Sequence, residues 1–262
     1  MLAEAKQFDD THPVRKLFLE LQSWKQYPDG VVEVPKQICG TSFFPGGVGL
    51  WCEGVNVPRW PEGGLMVLGQ DFGNEVSYKD SLSNGSELNT SRTWMNLHPF
   101  LESAGVQLER CFFTNIYMGL RKGNTNVKGR FAGSKCPRFK DRCRDFFLQQ
   151  FRTQLPRAIL ALGIHTPAFL AQRSAQLRKW PNWSSWGSYA KLDDGKDDGG
   201  PVIRGVSFEG VPGHQCDIAC LVHPSLRWGN VEGRQWRDCK GNEAEIRMVQ
   251  AVYALIRRNC IN

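Results

Sequence analysis

The chain has 262 residues, 41% of them apolar, enough for one large domain with a sizeable core. It contains no run of 18 apolar residues, and "MLAEAKQFDD" lacks the basic flank and apolar centre of a secretory leader, so no membrane span is expected and a cytoplasmic location is. The net charge of +7 is concentrated between Arg121 and Arg157, where eleven Lys/Arg face two Asp; this reads either as an electrostatic footprint for a polyanion or as a solvated basic face.

In chain order, a first helix is predicted from Pro13 to Lys25. Residues 27–64 are rich in Gly, Pro and Trp and read as an insertion or lid. Leu65–Leu68 is a short continuous apolar run, as expected of a parallel strand covered on both faces. "SRTWMNLHPFLESAG" spaces Trp94, Leu97 and Leu101 three or four apart, a helical pattern that Pro99 interrupts. Cys111–Thr114 is a second strand, and "RFKDRCRDFFLQQFRTQL" sets Phe139, Cys143, Phe146, Phe147 and Phe151 on one helical face. Ala158–Leu162 is a third strand, followed by a helix opening at Thr166-Pro167. Residues 175–215 read as a second insertion, in which Trp180, Trp183 and Trp186 form either a core under a loop or a stacking surface. Ile218–Val222 is a fourth strand, and "NEAEIRMVQAVYALIRR" closes the chain as an amphipathic helix. Strands alternating with helices predict an α/β fold, a three-layer α/β/α sandwich around a four-stranded parallel sheet, in one domain spanning 1–262.

Ligands of open α/β sheets bind at the carboxyl ends of the strands. The four strands end in Gly69-Gln70-Asp71-Phe72-Gly73, in Asn115, in Gly163-Ile164-His165 and in His223-Pro224-Ser225. An acid, a carboxamide and an imidazole are therefore expected on one rim. Asp71 after a glycine also suits an Asx-turn; His223 also suits a core histidine, and His165 a helix cap.

These strand ends resemble those of the uracil-DNA glycosylase superfamily. "GQDFG" and "HPS" are similar to that family's first and last motifs, and "LERCFFTNIYMGLR" with "DRCRDFFLQQFRTQLPRAILALG" resembles its iron–sulfur branch. The resemblance covers about residues 64–172 and 216–230. It implies a monofunctional DNA glycosylase that hydrolyses the N-glycosidic bond of a flipped, uracil-like or C5-modified pyrimidine and leaves an abasic site. Asp71 would position water or stabilise the cationic sugar, His223 would bond the departing base, and Gln70, Phe72, Gly73 and Asn115 would contact that base. Ser225 and Leu226 or Arg227, after His-Pro-Ser, would contact DNA, with Lys122, Lys128, Arg130 and Lys135 on phosphates. In a related branch a tyrosine stands where Gly73 does, so glycine would open room for a C5 substituent, with Phe72, Tyr78 or Trp94 to stack on the base; Asn89 takes the place of the iron–sulfur branch's stacking phenylalanine. Two rival readings are a defence enzyme removing hypermodified cytosine from phage DNA and a nucleic-acid-binding module without catalysis.

No cofactor or metal is expected. The cluster position after Asn115 holds Gly119 and the N-terminal cysteine pair is missing, so Cys143 is a core residue. The nine cysteines include no Cys-x-x-Cys pair and read as reduced thiols. In "HQCDIACLVH", Cys216 and Cys220 would lie about 13 Å apart along a strand, too far to share a zinc. "DDGKDDGG" has Arg204 where a calcium loop needs its last ligand. The expected partner is DNA, and a monomer is expected.

Overall fold

A computed structural model describes residues 12–33, 59–84, 87, 91–127, 129–178, 180, 189–194 and 200–257. Five strands form the main sheet: β1 Leu65–Gly69, β2 Cys111–Asn115, β3 Ala158–Leu162, β4 Val202–Val206 and β5 Cys216–Leu221. Their order is β2-β1-β3-β5-β4. The first four are parallel and match the predicted strands; β4 pairs antiparallel with β5. The sheet is thus mixed, and the expected four-stranded sheet gains an edge strand from within 175–215. The fragment "VIRGV" hides this because its polar and glycine residues break the apolar run.

Helices cover both faces. Met66, Leu68, Ile159 and Ile218 point into one core with α1 (Pro13–Gln22) and α4 (Pro137–Gln154). The alternate residues Leu65, Val67, Leu160 and Ala219 point into a second core with α3 (Arg92–Ser103) and α6 (Gly241–Arg257). Every residue of β1, β2, β3 and β5 is buried, which is why their sequences lack alternation. The helix α2 spans Glu75–Ser83, and α5 spans His165–Leu170. The pattern around Pro99 resolves as one helix, with the proline inside α3. Within 27–64, Val31–Val32 pairs with Leu120–Arg121, and Trp60 packs on Phe112. Trp180 is core; Trp183, Trp186 and Asn89 lie outside the described residues. Among the described residues no helix is long and apolar enough to cross a membrane.

Behind the end of β5 sits a buried ion network that the sequence does not announce. Glu245 of α6 is fully buried and accepts from Arg227 at 2.6 Å, from Arg234 at 2.7 Å and from the Val222 N–H at 2.7 Å. Arg234 also donates to Asp193 and to the Cys220 carbonyl, both at 3.0 Å. The mutual attraction of these charges and their hydrogen bonds offset the cost of burying them. Glu245→Ala strands two buried guanidinium groups and should cost about 3–5 kcal/mol. Urea denaturation would show this as a lower midpoint with unchanged slope; a wild-type midpoint would mean the network is not structural.

Candidate active site

The carboxyl ends of β1, β2, β3 and β5 open onto one cavity of about 290 Å3. Gln70, Asp71, Phe72, Gly73, Asn115, His223 and Ser225 all line it. Residues more than a hundred positions apart meet because parallel strands end on the same rim.

Asp71 has a side chain only 6% exposed. Its Oδ1 accepts from the Gly73 N–H at 2.9 Å, closing an Asx-turn. Arg121 grips it from the other side: Nη2 lies 2.9 Å from Oδ2 and Nε 3.4 Å from Oδ1. Burial raises the Asp71 pKa, while the Arg121 guanidinium and the Gly73 N–H act against that and favour the carboxylate. Among the described residues three donors occupy three of its roughly four lone-pair positions. Arg121 is the main residue that sequence reasoning missed. It is one of eleven basic residues in its segment, and its partner lies 50 positions away.

Gly73 has φ 81°, a conformation that glycine adopts freely. Among the described residues, a Cβ there would meet only Val127, at 3.9 Å. The glycine is therefore required by the turn as well as leaving space, and a tyrosine would be strained there whatever its contacts. Phe72 is half-buried and lines the cavity, as does Trp94, whose Nε1 donates to Glu87 at 2.8 Å. Tyr78 is buried away from the cavity, which corrects its candidacy as a stacking partner. Asn115 is buried opposite Gly69 in register.

His223 accepts through Nδ1 from the Ser225 N–H at 3.3 Å, with Ser225 Oγ at 2.8 Å. A backbone N–H can only donate, so the neutral ring carries its proton on Nε2. Asn96 of α3 donates to the Pro224 carbonyl at 2.8 Å and anchors the loop. Gly163 has φ 76° and backs onto His223, where a Cβ would lie 3.1 Å from the His223 Cβ. Burial, and then the nearby His165, push the His223 pKa down to about 4.

The residues expected to contact DNA divide. Lys122, Arg130 and Lys135 are exposed outside this cavity, and Lys128 lies outside the described residues. Leu226 is 47% exposed and Trp228 84%. Arg227 points inward, against expectation: it is buried, paired with Glu245 and stacked 4.0 Å from the Phe100 ring centroid. Its charge is already spent on the core, so it is not a DNA contact. His165 is the first residue of α5, one position inside the N-cap Ile164. His214 bonds the Pro156 carbonyl at the start of β5, the opposite end from His223, so the two histidines share no metal site.

No protein-family model matches the chain, and no curated protein matches it significantly.

The depressed His223 pKa has a measurable consequence. Its unfolded value of 6.5 falls to about 4 on folding, so stability is fully present above pH 6.5 and is lost as pH falls toward 4, where the unfolded chain takes up a proton that the folded site resists. Ring resonances of His223 should remain those of the Nε2-protonated neutral tautomer from about pH 8 to about pH 5. A midpoint near the ordinary histidine value would overturn the assignment.

Proposed function

We propose that the chain is a monofunctional DNA glycosylase with a uracil-DNA glycosylase-like sandwich, acting on a flipped pyrimidine to leave an abasic site. The observation that carries this reading is the convergence of Asp71, Asn115 and His223, from three strand ends, on one ring-sized cavity. A cavity of about 150 Å3 accommodates benzene, so this one admits a pyrimidine with a C5 substituent. The target base must leave the helical stack to reach it.

N-glycosidic cleavage develops positive charge on the sugar and negative charge on the departing base. Asp71 faces the first with a fixed carboxylate, and its fourth acceptor position would orient a water. His223, neutral, offers an Nε2–H to the second; a donor that need not lose a charge to the base suits an anionic leaving group. The Asn115 carboxamide can donate and accept, as base recognition requires. Among the described residues no lysine lines the cavity, so water rather than an amine is the nucleophile. Phe72 supplies the stacking face, the exposed Leu226 and Trp228 that follow His223-Pro224-Ser225 in sequence would act as wedge, and Lys122, Arg130 and Lys135 would follow the phosphates.

One observation favours a second reading, a nucleic-acid-binding protein without catalysis. The Arg121–Asp71 pair offsets the charge that the sugar cation would feel. A single assay separates the two: abasic-site formation on DNA carrying uracil, hypoxanthine, 5-hydroxymethylcytosine or glucosylated hydroxymethylcytosine. The glycosylase reading expects release of at least one base. Asp71→Asn should abolish it with binding retained, and His223→Ala should slow single-turnover release by about 10²-fold or more. Tight DNA binding with no release from any substrate would establish the second reading instead.

A further inference from the structure

A second cavity, of about 300 Å3, lies on the far side of Gln70, which lines both. Five segments build it. Arg130 comes from the loop after Leu120–Arg121, and its carbonyl is held by Arg121 Nη1 at 3.2 Å. Ser134 comes from the turn Ala132–Lys135. Lys140 and Arg144 stand one turn apart on α4, and His165 opens α5. Gln70 closes it from the end of β1. The floor is aromatic and rigid: Tyr117 stacks on Phe131 at 5.2 Å and meets the edge of Phe169 at 5.8 Å.

The chemistry of the lining is one-sided. Among the described residues it includes three cations and no carboxylate. Like charges one helical turn apart repel, so Lys140 and Arg144 carry a cost that an anion would remove. Arg144 Nη1 does pair with Asp141 at 2.7 Å, but Asp141 is 59% exposed and water screens it. Arg144 Nε is buried without a hydrogen-bond partner among the described residues. Independently, His165 feels the positive field: burial and then the Arg130 and Arg121 charges push its pKa down to about 4.

We propose that this second cavity binds a phosphate monoester, the terminal phosphate of a DNA strand or of a mononucleotide. Three cations and a hydroxyl match a dianionic monoester, which carries −1.5 to −2 near neutral pH, better than a single backbone diester of one charge. The volume, about twice that which holds benzene, leaves room for the sugar to which the phosphate is attached. The inference does not depend on base excision.

The test follows the His165 ring by NMR in the full chain. Inorganic phosphate and thymidine 5′-monophosphate should shift it saturably, and thymidine should not. Lys140→Gln should weaken phosphate binding about tenfold, as expected for loss of one charge-assisted hydrogen bond. Lys79→Gln, on exposed α2, removes the same charge elsewhere and should leave binding unchanged. Displacement of phosphate by a terminally phosphorylated oligonucleotide identifies a strand end as the ligand. Displacement by the mononucleotide alone identifies a free nucleotide. A His165 ring unmoved by phosphate and mononucleotide, or moved equally by a dephosphorylated oligonucleotide, would overturn the proposal. Because no arm measures base release, its failure is distinct from failure of the glycosylase reading.

Discussion

The guanidinium of Arg121 holds the site together. Its five N–H donors are all used: two on Asp71 and three on the carbonyls of Asn126, Gly129 and Arg130. Its own backbone N–H bonds the Gly73 carbonyl, and its ring-like plane lies 5.5 Å from Phe131. A buried cation is tolerable only when its hydrogen-bonding capacity is filled, and the loop after β1 and the loop 122–130 fill it together. Further bonds support both loops, among them the Asp71–Gly73 turn and Asn74 Nδ2 to the Thr125 carbonyl, each at 2.9 Å. A lysine could not substitute, because a point charge with three donors cannot serve five acceptors in a plane.

This arrangement links the two cavities. Gln70 donates to the Gly129 carbonyl at 3.2 Å, and Gly129 is itself an acceptor of Arg121. The wall between the cavities is therefore part of the same hydrogen-bonded unit that fixes Asp71 and presents Arg130. At the strand ends, the restrained carboxylate of Asp71 and the neutral imidazole of His223 face the first cavity together with Glu87 and Arg92, while among the described residues three cations without a carboxylate face the second.

Much of this was legible in the chain. Four parallel strands are fully buried, so their continuous apolar sequences identify them, and strand polarity then brings Asp71, Asn115 and His223 to one rim. What was hidden depends on contacts between distant residues. Arg121 is indistinguishable from its basic neighbours until Asp71 is in place. Arg227 looks like a surface residue until Glu245, 18 positions later on α6, draws it inward. Gly73 suggests an enlarged pocket, but its positive φ supplies a backbone reason for the same residue.

The strand β4 closes one edge of the sheet. Its pairing with β5 slips between Ile203 and Val206, Gly205 turns out at φ 62°, and Asp217 takes both the Gly205 N–H and the Arg204 guanidinium at 3.0 Å. β4 is thus kinked, with Arg204 turned to Asp217 of β5, and is not a straight row of open backbone groups. A chain trimmed of residues 200–210 would uncover β5, whose residues are all apolar or small except Asp217, as an unpaired edge. An open strand edge is a template for pairing with another chain, so a segment that reads as an insertion covers backbone that would otherwise be exposed to such pairing.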